Sequence, residues 1–554
     1  MSTSQSRWSI KFFAGLLMIA LAFGAFAATS QAQESHLGSV DFQTSGSKEA
    51  NAPFLRGLAA LHSFWYEEAL EAFRESTRIE PDFMMGYWGE AMAHNHPLWG
   101  EQDTSAARQV IAKIKDTPKL SDRERAYLNA VKLLYAEGDN RARDEAYSAA
   151  MEKIYTTYPN DLDAAAFYSL SLLGLVRPED KSYRLQARAG AIALAIFQKN
   201  PNHPGAAHYI IHAFDDPDHA ILALPAARLY AGIAPEAHHA RHMPAHIFLQ
   251  LGMWPEAAAS NESAWEASES WMKRKNLSPS VRDYHSLHWL LYVYLQQGRY
   301  RKAEELLALM KKTMAETTYE NKLRPGYYES NYANMAAAFV VETERWSLAN
   351  TLFPATDAQA ASSEGMMSGH GHGAVVPASA NGTVVTRTSS SGQTLPLFIR
   401  SLASASNGSL TNPAASTNTG SDRQRIGELQ VDAVAASMKG DHARAAGLMV
   451  EAINRAEKLG PPSGPPGLIK PPLELFGELL LRAGKPVEAA AQFKASLLRQ
   501  PNRARSLLGA ARAADKRGDR PAAEAAYAKL LVQWQQADAE LPELREAREY
   551  LKKN

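Results

Sequence analysis

The sequence predicts an all-α protein, a solenoid of stacked helical hairpins, and two observations predict it. Near the C-terminus, Gly484 and Gly518, Ala489 and Ala523, and Phe493 and Tyr527 are each 34 residues apart. The same period returns at the other end, where His62 and His96, and Phe54 and Trp88, are 34 apart, and in the middle, where Pro201 and Pro235 are. Small residues at helix crossings and aromatics filling the gaps, repeated at one such period, mark hairpins that bury their apolar stripes only against their neighbours. A composition of 45% hydrophobic and 9% aromatic residues supplies enough apolar surface for that packing.

Residues 1–32 read as a signal peptide. Arg7 and Lys11 precede the apolar run Phe12 to Ala27, and small-residue cleavage patterns follow at Ala25-Phe26-Ala27 and Ser30-Gln31-Ala32. The run is short for a span of ~20 residues. The expectation is an exported, periplasmic protein with no membrane span after cleavage. Residues 33–50 should be a flexible lead-in to a first helical array, 51–353, in which Gly57, Ala69, Phe73 and Pro81 mark a repeat. Gly252 and Gly298 lie 46 apart, one period plus about a dozen inserted residues. From 354 to 422 the chain is rich in Ser, Ala, Thr, Gly and Asn and has neither Trp nor Tyr, so it is expected to be a disordered insertion. A second array, 423–554, contains the proline-rich break "GPPSGPPGLIKPP".

The offsets of Gly57, Ala69, Phe73 and Pro81 resemble those of the tetratricopeptide-repeat superfamily. More closely, "LHSFWYEEALEAF", "HNHPLW", "HMPAHIFLQLGMW" and "NRARSLLGAARAA" are similar to exported bacterial tetratricopeptide-repeat proteins. The resemblance implies a right-handed superhelical solenoid of helical hairpins whose first helices line a concave groove, with a protein or peptide ligand there. It implies no particular activity.

Lys plus Arg and Asp plus Glu both number 59, so the formal charge is zero and nucleic acid, which calls for a basic excess, is not an expected partner. The chain has no cysteine, which removes disulfides and thiolate sites; a metal must be held by His, Asp, Glu or Met. Gly-x-Ser-x-Gly, a phosphate-binding Gly-rich loop with Lys-Ser/Thr, and His-Glu-x-x-His are all missing from the sequence.

Histidines carry the functional signal. His208 and His212 are four residues apart, with Asp215 a turn further on; 34 residues later His242 and His246 repeat the spacing, with His239 before them. Across the insertion, His285, His288 and Tyr292 fall in the next register. Residues three or four apart share a helix face at about 5–6 Å, and neighbouring helices pack at ~8–10 Å, so imidazoles of adjacent repeats can meet. Two readings compete. Imidazoles so grouped suit a transition metal (zinc, copper or iron), held in an open site rather than a closed structural one. Alternatively the rings pack and hydrogen-bond across helices, or face an acidic peptide, with no cofactor.

Close imidazolium groups repel, so the cluster should be neutral, metal-bound or faced by Asp215, Asp216, Asp218 and Glu236, with a steep pH response near pH ~6–7. Weaker candidates are His94 and His96 with Glu90, Trp99 and Glu101; Met366, Met367, His370 and His372 in the insertion; and Glu474 and Glu478, which would place carboxylates on the groove of the second array. The leading expectation is a binding scaffold with a histidine-rich, metal-capable groove. The alternatives are a metal-dependent hydrolase or oxidoreductase, with Asp215 or Tyr292 as ligand or proton donor, and copper or zinc handling without catalysis.

Overall fold

A computed structural model describes residues 36–177, 180–354, 394–410, 421–461 and 464–552. The expected signal peptide and the Met/His tract at Met366 to His372 lie outside the described residues. The fold is an all-α helical repeat: helix follows helix, each packing on the next and several on the next but one. Among the described residues the strands are one two-residue pair, Asn95–His96 antiparallel to Glu101–Gln102.

Local chemistry sets where helices start. Asp103, Asp139, Asp161, Asp283, Asp441 and Asp519 each accept a hydrogen bond from a first-turn amide, and Ser121 forms a reciprocal capping box with Glu124. Between helices the repeat is a ring between glycines. A methyl group on Gly57 or Gly89 would stand 2.9 or 2.3 Å from the Phe73 ring, and one on Gly477 or Gly509 would stand 2.8 or 2.3 Å from Phe493. Each aromatic therefore fills the space that two successive repeats leave by lacking a side chain.

Residues 36–47, expected to be flexible, are pinned. Leu37 and Phe42 are buried, the Ser39 amide donates to the Asn202 carbonyl at 2.8 Å, and the Ser45 amide donates to Glu124 at 2.7 Å. Two apolar side chains in an otherwise polar stretch are enough to seat it against the first helices. A second difference lies in the stretch expected to be structureless, where Thr394–Ser406 is a helix with Ile399 and Leu402 buried. Its apolar residues sit one helical turn apart within a Ser/Ala-rich context that masks them.

Two contacts place the functional site. Helix Lys48–His62 packs on helix Pro204–Ala213 far along the chain. The C-terminal repeats pack on the middle ones: Trp254 donates to the Asn502 carbonyl at 2.9 Å, and Trp534 donates to the Gln296 carbonyl at 2.9 Å. Gly252, at φ +66°, makes the first approach feasible, because a side chain there would meet the Pro501 carbonyl at 2.3 Å.

Candidate metal centre

Helix Pro204–Ala213 carries His208 and His212 on one face. The next stripe is not one helix. His238–His242 ends at Met243, and Pro244, which has no N–H to continue the ladder, begins a second short helix, Pro244–Gln250. His239 and His242, three residues apart on the first short helix, join different groups, and His246 on the second faces His242. Helix Tyr284–Gln296, capped by Asp283, adds His285. Two groups result: His208, His212 and His239, and His242, His246 and His285, the ligand-capable atoms of each lying within 4.8 Å of one another.

Hydrogen bonds fix which nitrogen faces inward. The Nδ1–H of His208 donates to the His62 carbonyl at 2.7 Å, so the neutral ring presents its Nε2 lone pair, 3.0 Å from Nε2 of His212. The Nδ1–H of His246 donates to Asp215 at 2.6 Å. That of His242 donates to the Asn261 side-chain oxygen at 2.7 Å, and the Asn261 amide nitrogen donates to the Ala257 carbonyl at 2.8 Å, which settles the orientation of that amide. Nε2 of His242 and Nε2 of His246 then face each other at 3.1 Å. Two nitrogens bound at ~2.0–2.1 Å to one ion, at angles from square to tetrahedral, stand about 2.9–3.4 Å apart. Nε2 of His239, a residue 5% exposed, has no hydrogen-bond partner among the described residues.

Electrostatics agree with neutral rings. Burial pushes His239 well below the ordinary imidazole value, and the neighbouring His208, His242 and His212 push it further; burial also lowers His242. The window in which such rings protonate therefore lies lower than the pH 6–7 expected of ordinary histidines. Aromatic rings close both groups. Phe64 packs on His208 at 4.3 Å between centroids and also on His212 and His239, while Trp289 packs on His246 at 4.2 Å and on His242 at 5.0 Å. Phe64 holds φ +53°, a left-handed conformation that a bulky residue rarely adopts. Gly464, in the proline-rich break, presses on Trp289 so closely that a methyl group there would stand 2.4 Å from the ring.

A third group is different in kind. His62, Asp163 and His203 are fully buried together. The Nε2–H of His62 donates to Asp163 at 2.9 Å while its Nδ1 accepts from the Tyr209 hydroxyl at 2.9 Å. Nδ1 of His203 accepts from the Ala206 amide, so its Nε2 carries the proton, and that nitrogen stands 3.4 Å from the same carboxylate oxygen. Here protons, not lone pairs, point at the shared atom. Burial alone would raise Asp163, but the hydrogen bonds from His203 and His62 outweigh it and hold the carboxyl well below its usual range. This group is a packed hydrogen-bond network.

The remaining candidates go elsewhere. His288 is buried outside both groups, and burial brings it down to about 4. The Tyr292 hydroxyl accepts from Arg503 at 2.8 Å, which turns it toward the C-terminal repeats. Glu474 and Glu478 do not line a solvated face: Glu474 is fully buried against Arg503 and Lys470, and Glu478 accepts from Lys470 at 2.7 Å. Lys470 lies four and eight residues before them, whereas Arg503 is 29 residues from Glu474, a pairing that no local spacing announces. His96 donates to Glu101 at 3.0 Å across the two-residue strand pair and stacks on Tyr66 at 3.7 Å; Arg324 pairs with the same Glu101 and covers Trp99. His94 sits in the turn before it, its Nε2 buried. Sequence reasoning missed Asn261, Phe64, Trp289, Asp283 and the His62 carbonyl, none of which carries a spacing signal.

No family model and no curated protein matches the sequence. Among solved structures the chain is similar to yeast Tom70, at 10% identity over 92% of this chain and 90% of that one, with a TM-score of 0.23. It is also similar to the APC/C Cut9–Hcn1 hetero-tetramer, at 12% identity over 91% and 76% of the two chains with a TM-score of 0.26, and to the P58(IPK) TPR domain, at 12% over 91% and 98% with a TM-score of 0.20. Scores this low leave the fold resting on this chain's own helices and their period.

Proposed function

We propose that this chain is an exported helical-repeat protein that holds a first-row transition metal on buried imidazoles. The observation that carries the reading is the 3.1 Å approach of Nε2 of His242 to Nε2 of His246, in which the Nδ1–H of each ring is already committed to an acceptor, while His208, held by the His62 carbonyl, turns its own Nε2 lone pair to His212. Without a cation or a shared proton, such lone pairs repel; with an ion between them, the arrangement is the usual one of ligating imidazoles oriented from behind by carbonyl, amide and carboxylate. The alternative in which Asp215 or Tyr292 moves protons has less support, since Asp215 is engaged with His246 and Gln250 and Tyr292 with Arg503. A protein or peptide partner would meet the outside of the array, because His208, His242 and His246 are 0% exposed. No helix among the described residues is long and apolar enough to cross a membrane.

Metal analysis of protein purified from the exported fraction tests the reading. Metal should accompany the wild-type chain and fall in the His242→Ala/His246→Ala variant. A wild-type chain that stays metal-free after incubation with zinc, copper and iron salts overturns it. Export is tested separately: the mature N-terminus should begin at Ala28 or Gln33, and a retained Met1 in the folded protein overturns cleavage.

A further inference from the structure

We infer that the centre is dinuclear and suited to copper(I), with one ion on His208, His212 and His239 and a second on His242, His246 and His285. The inference rests on the metal-holding reading above and goes beyond it in the number, charge and identity of the ions.

The two groups are separate sets of three, yet adjacent. The short helix His238–His242 gives one ligand to each, His239 to the first and His242 to the second, and their ring centroids are 6.0 Å apart. His212 and His246 cross from one group to the other at the same 6.0 Å. Within a group the closest rings crowd more tightly, 4.7 Å for His208 and His212 and 4.6 Å for His242 and His285, while His246 and His285 stand 6.3 Å apart. A single ion cannot use all six, because only the atoms within each set lie within 4.8 Å of one another.

Identity follows from charge and coordination number. All six donors are neutral nitrogens; neither group contains a carboxylate, and the chain has no thiolate. Two divalent ions this close would repel roughly four times as strongly as two monovalent ones, in a site walled by Phe64 and Trp289 rather than water. Two carboxylates touch the surrounding shell: Asp215, which accepts from His246, and Asp283, which accepts from His238 at 3.1 Å. Asp215 offsets positive charge directly through a ligand ring, and Asp283, shared with His238, adds to it in part. Imidazole binds copper well, and copper(I) is satisfied by three donors, whereas zinc on three imidazoles completes its shell with a water, which rings buried behind Phe64 and Trp289 disfavour.

The test is anaerobic loading of the full-length mature protein with copper(I), or in parallel with zinc(II), followed by passage over a chelating resin and metal counting. Two copper(I) ions per chain are expected, with a copper K-edge absorption spectrum of three nitrogen donors per ion. His208→Ala/His212→Ala and His242→Ala/His246→Ala should each retain one ion, and the four-fold variant none. One ion per wild-type chain, abolished by either pair, overturns the dinuclear assignment while leaving a metal site in place. Two zinc ions retained where copper(I) is stripped overturn the copper assignment. No retention of any metal overturns both this inference and the reading beneath it. The wild-type spectrum decides coordination number even if a variant fails to fold: a four-donor shell counts against the three-imidazole site.

Discussion

Asn261 is no ligand, yet the direction of the His242 lone pair depends on it. Its side-chain oxygen takes the Nδ1–H of His242, and its own amide is held by the Ala257 carbonyl. Asn261→Leu fills the space but leaves that N–H without an acceptor, so metal affinity should fall about 10–100-fold with little change of fold, as read by chelator competition and circular dichroism. Asp215→Asn should act in the same direction through His246.

His288 gives a pH prediction outside the groups. Its folded value is about 4, lowered by burial, against ~6.5 in the unfolded chain. Between those values the unfolded state binds more protons, so this contribution is fully present above pH ~6.5 and is lost as pH falls toward 4; for His288 it is on the order of 3 kcal/mol. Buried His239 and His242 act with the same sign. His238 acts oppositely: burial would lower it, but Asp283 outweighs that and raises it, so its contribution is lost as pH rises. Urea midpoints of the metal-free protein should therefore decline from pH ~6.5 downward, well before ordinary carboxylates at ~4 protonate. A flat profile from 7.5 to 5 contradicts this balance.

At the scale of elements, the repeat depends on rings packed against absent side chains. Gly509→Ala places a methyl 2.3 Å from the Phe493 ring and should destabilise the chain by about 1–3 kcal/mol in urea melts. Gly464→Val, at φ +88° and against Trp289, should displace that ring from His246 and speed metal exchange without altering the ligands.

The period of these glycines and aromatics is visible in the sequence because one hairpin geometry demands the same residue types at each turn. The pairs His208 with His212 and His242 with His246 are visible for a similar reason, four residues being about one helical turn. Beyond one turn the pattern stops informing. What reads as a single stripe is shared out: His239 meets His208 and His212 of the earlier repeat, while His242, on the same short helix, meets His246 and His285. Arg503 is fully buried across from Tyr292 and Glu474, partners 211 and 29 residues away, and no periodicity reports such a pairing. The helix Thr394–Ser406 is hidden by the bias of its flanks.

For the whole molecule, Arg503 is the residue on which the docking of the C-terminal repeats turns. It donates to Glu474 at 2.7 Å, to Glu342 at 2.6 Å and to Tyr292, all buried. Arg503→Ala leaves buried Glu342 without its cation and Glu474 with Lys470 alone, and should destabilise by about 3–5 kcal/mol. Tryptophan fluorescence should report the change, since Trp254 and Trp534 sit at that junction. Replacing Arg503, Glu474 and Glu342 together by apolar residues of similar volume should recover much of the loss. Failure of the triple variant to recover would mean that the ions hold a geometry and not only a charge balance.

One peptide oxygen ties the start of the chain to its middle. The carbonyl that orients His208 belongs to His62, 146 positions earlier, at the end of helix Lys48–His62. A backbone nick just after that residue could leave every helix standing and every histidine present, yet release the ring from its hold. If the proposed copper is bound there, occupancy of the first three-histidine group is a gauge of chain integrity at a point remote in sequence, and a protease-clipped sample should lose metal before its helicity changes.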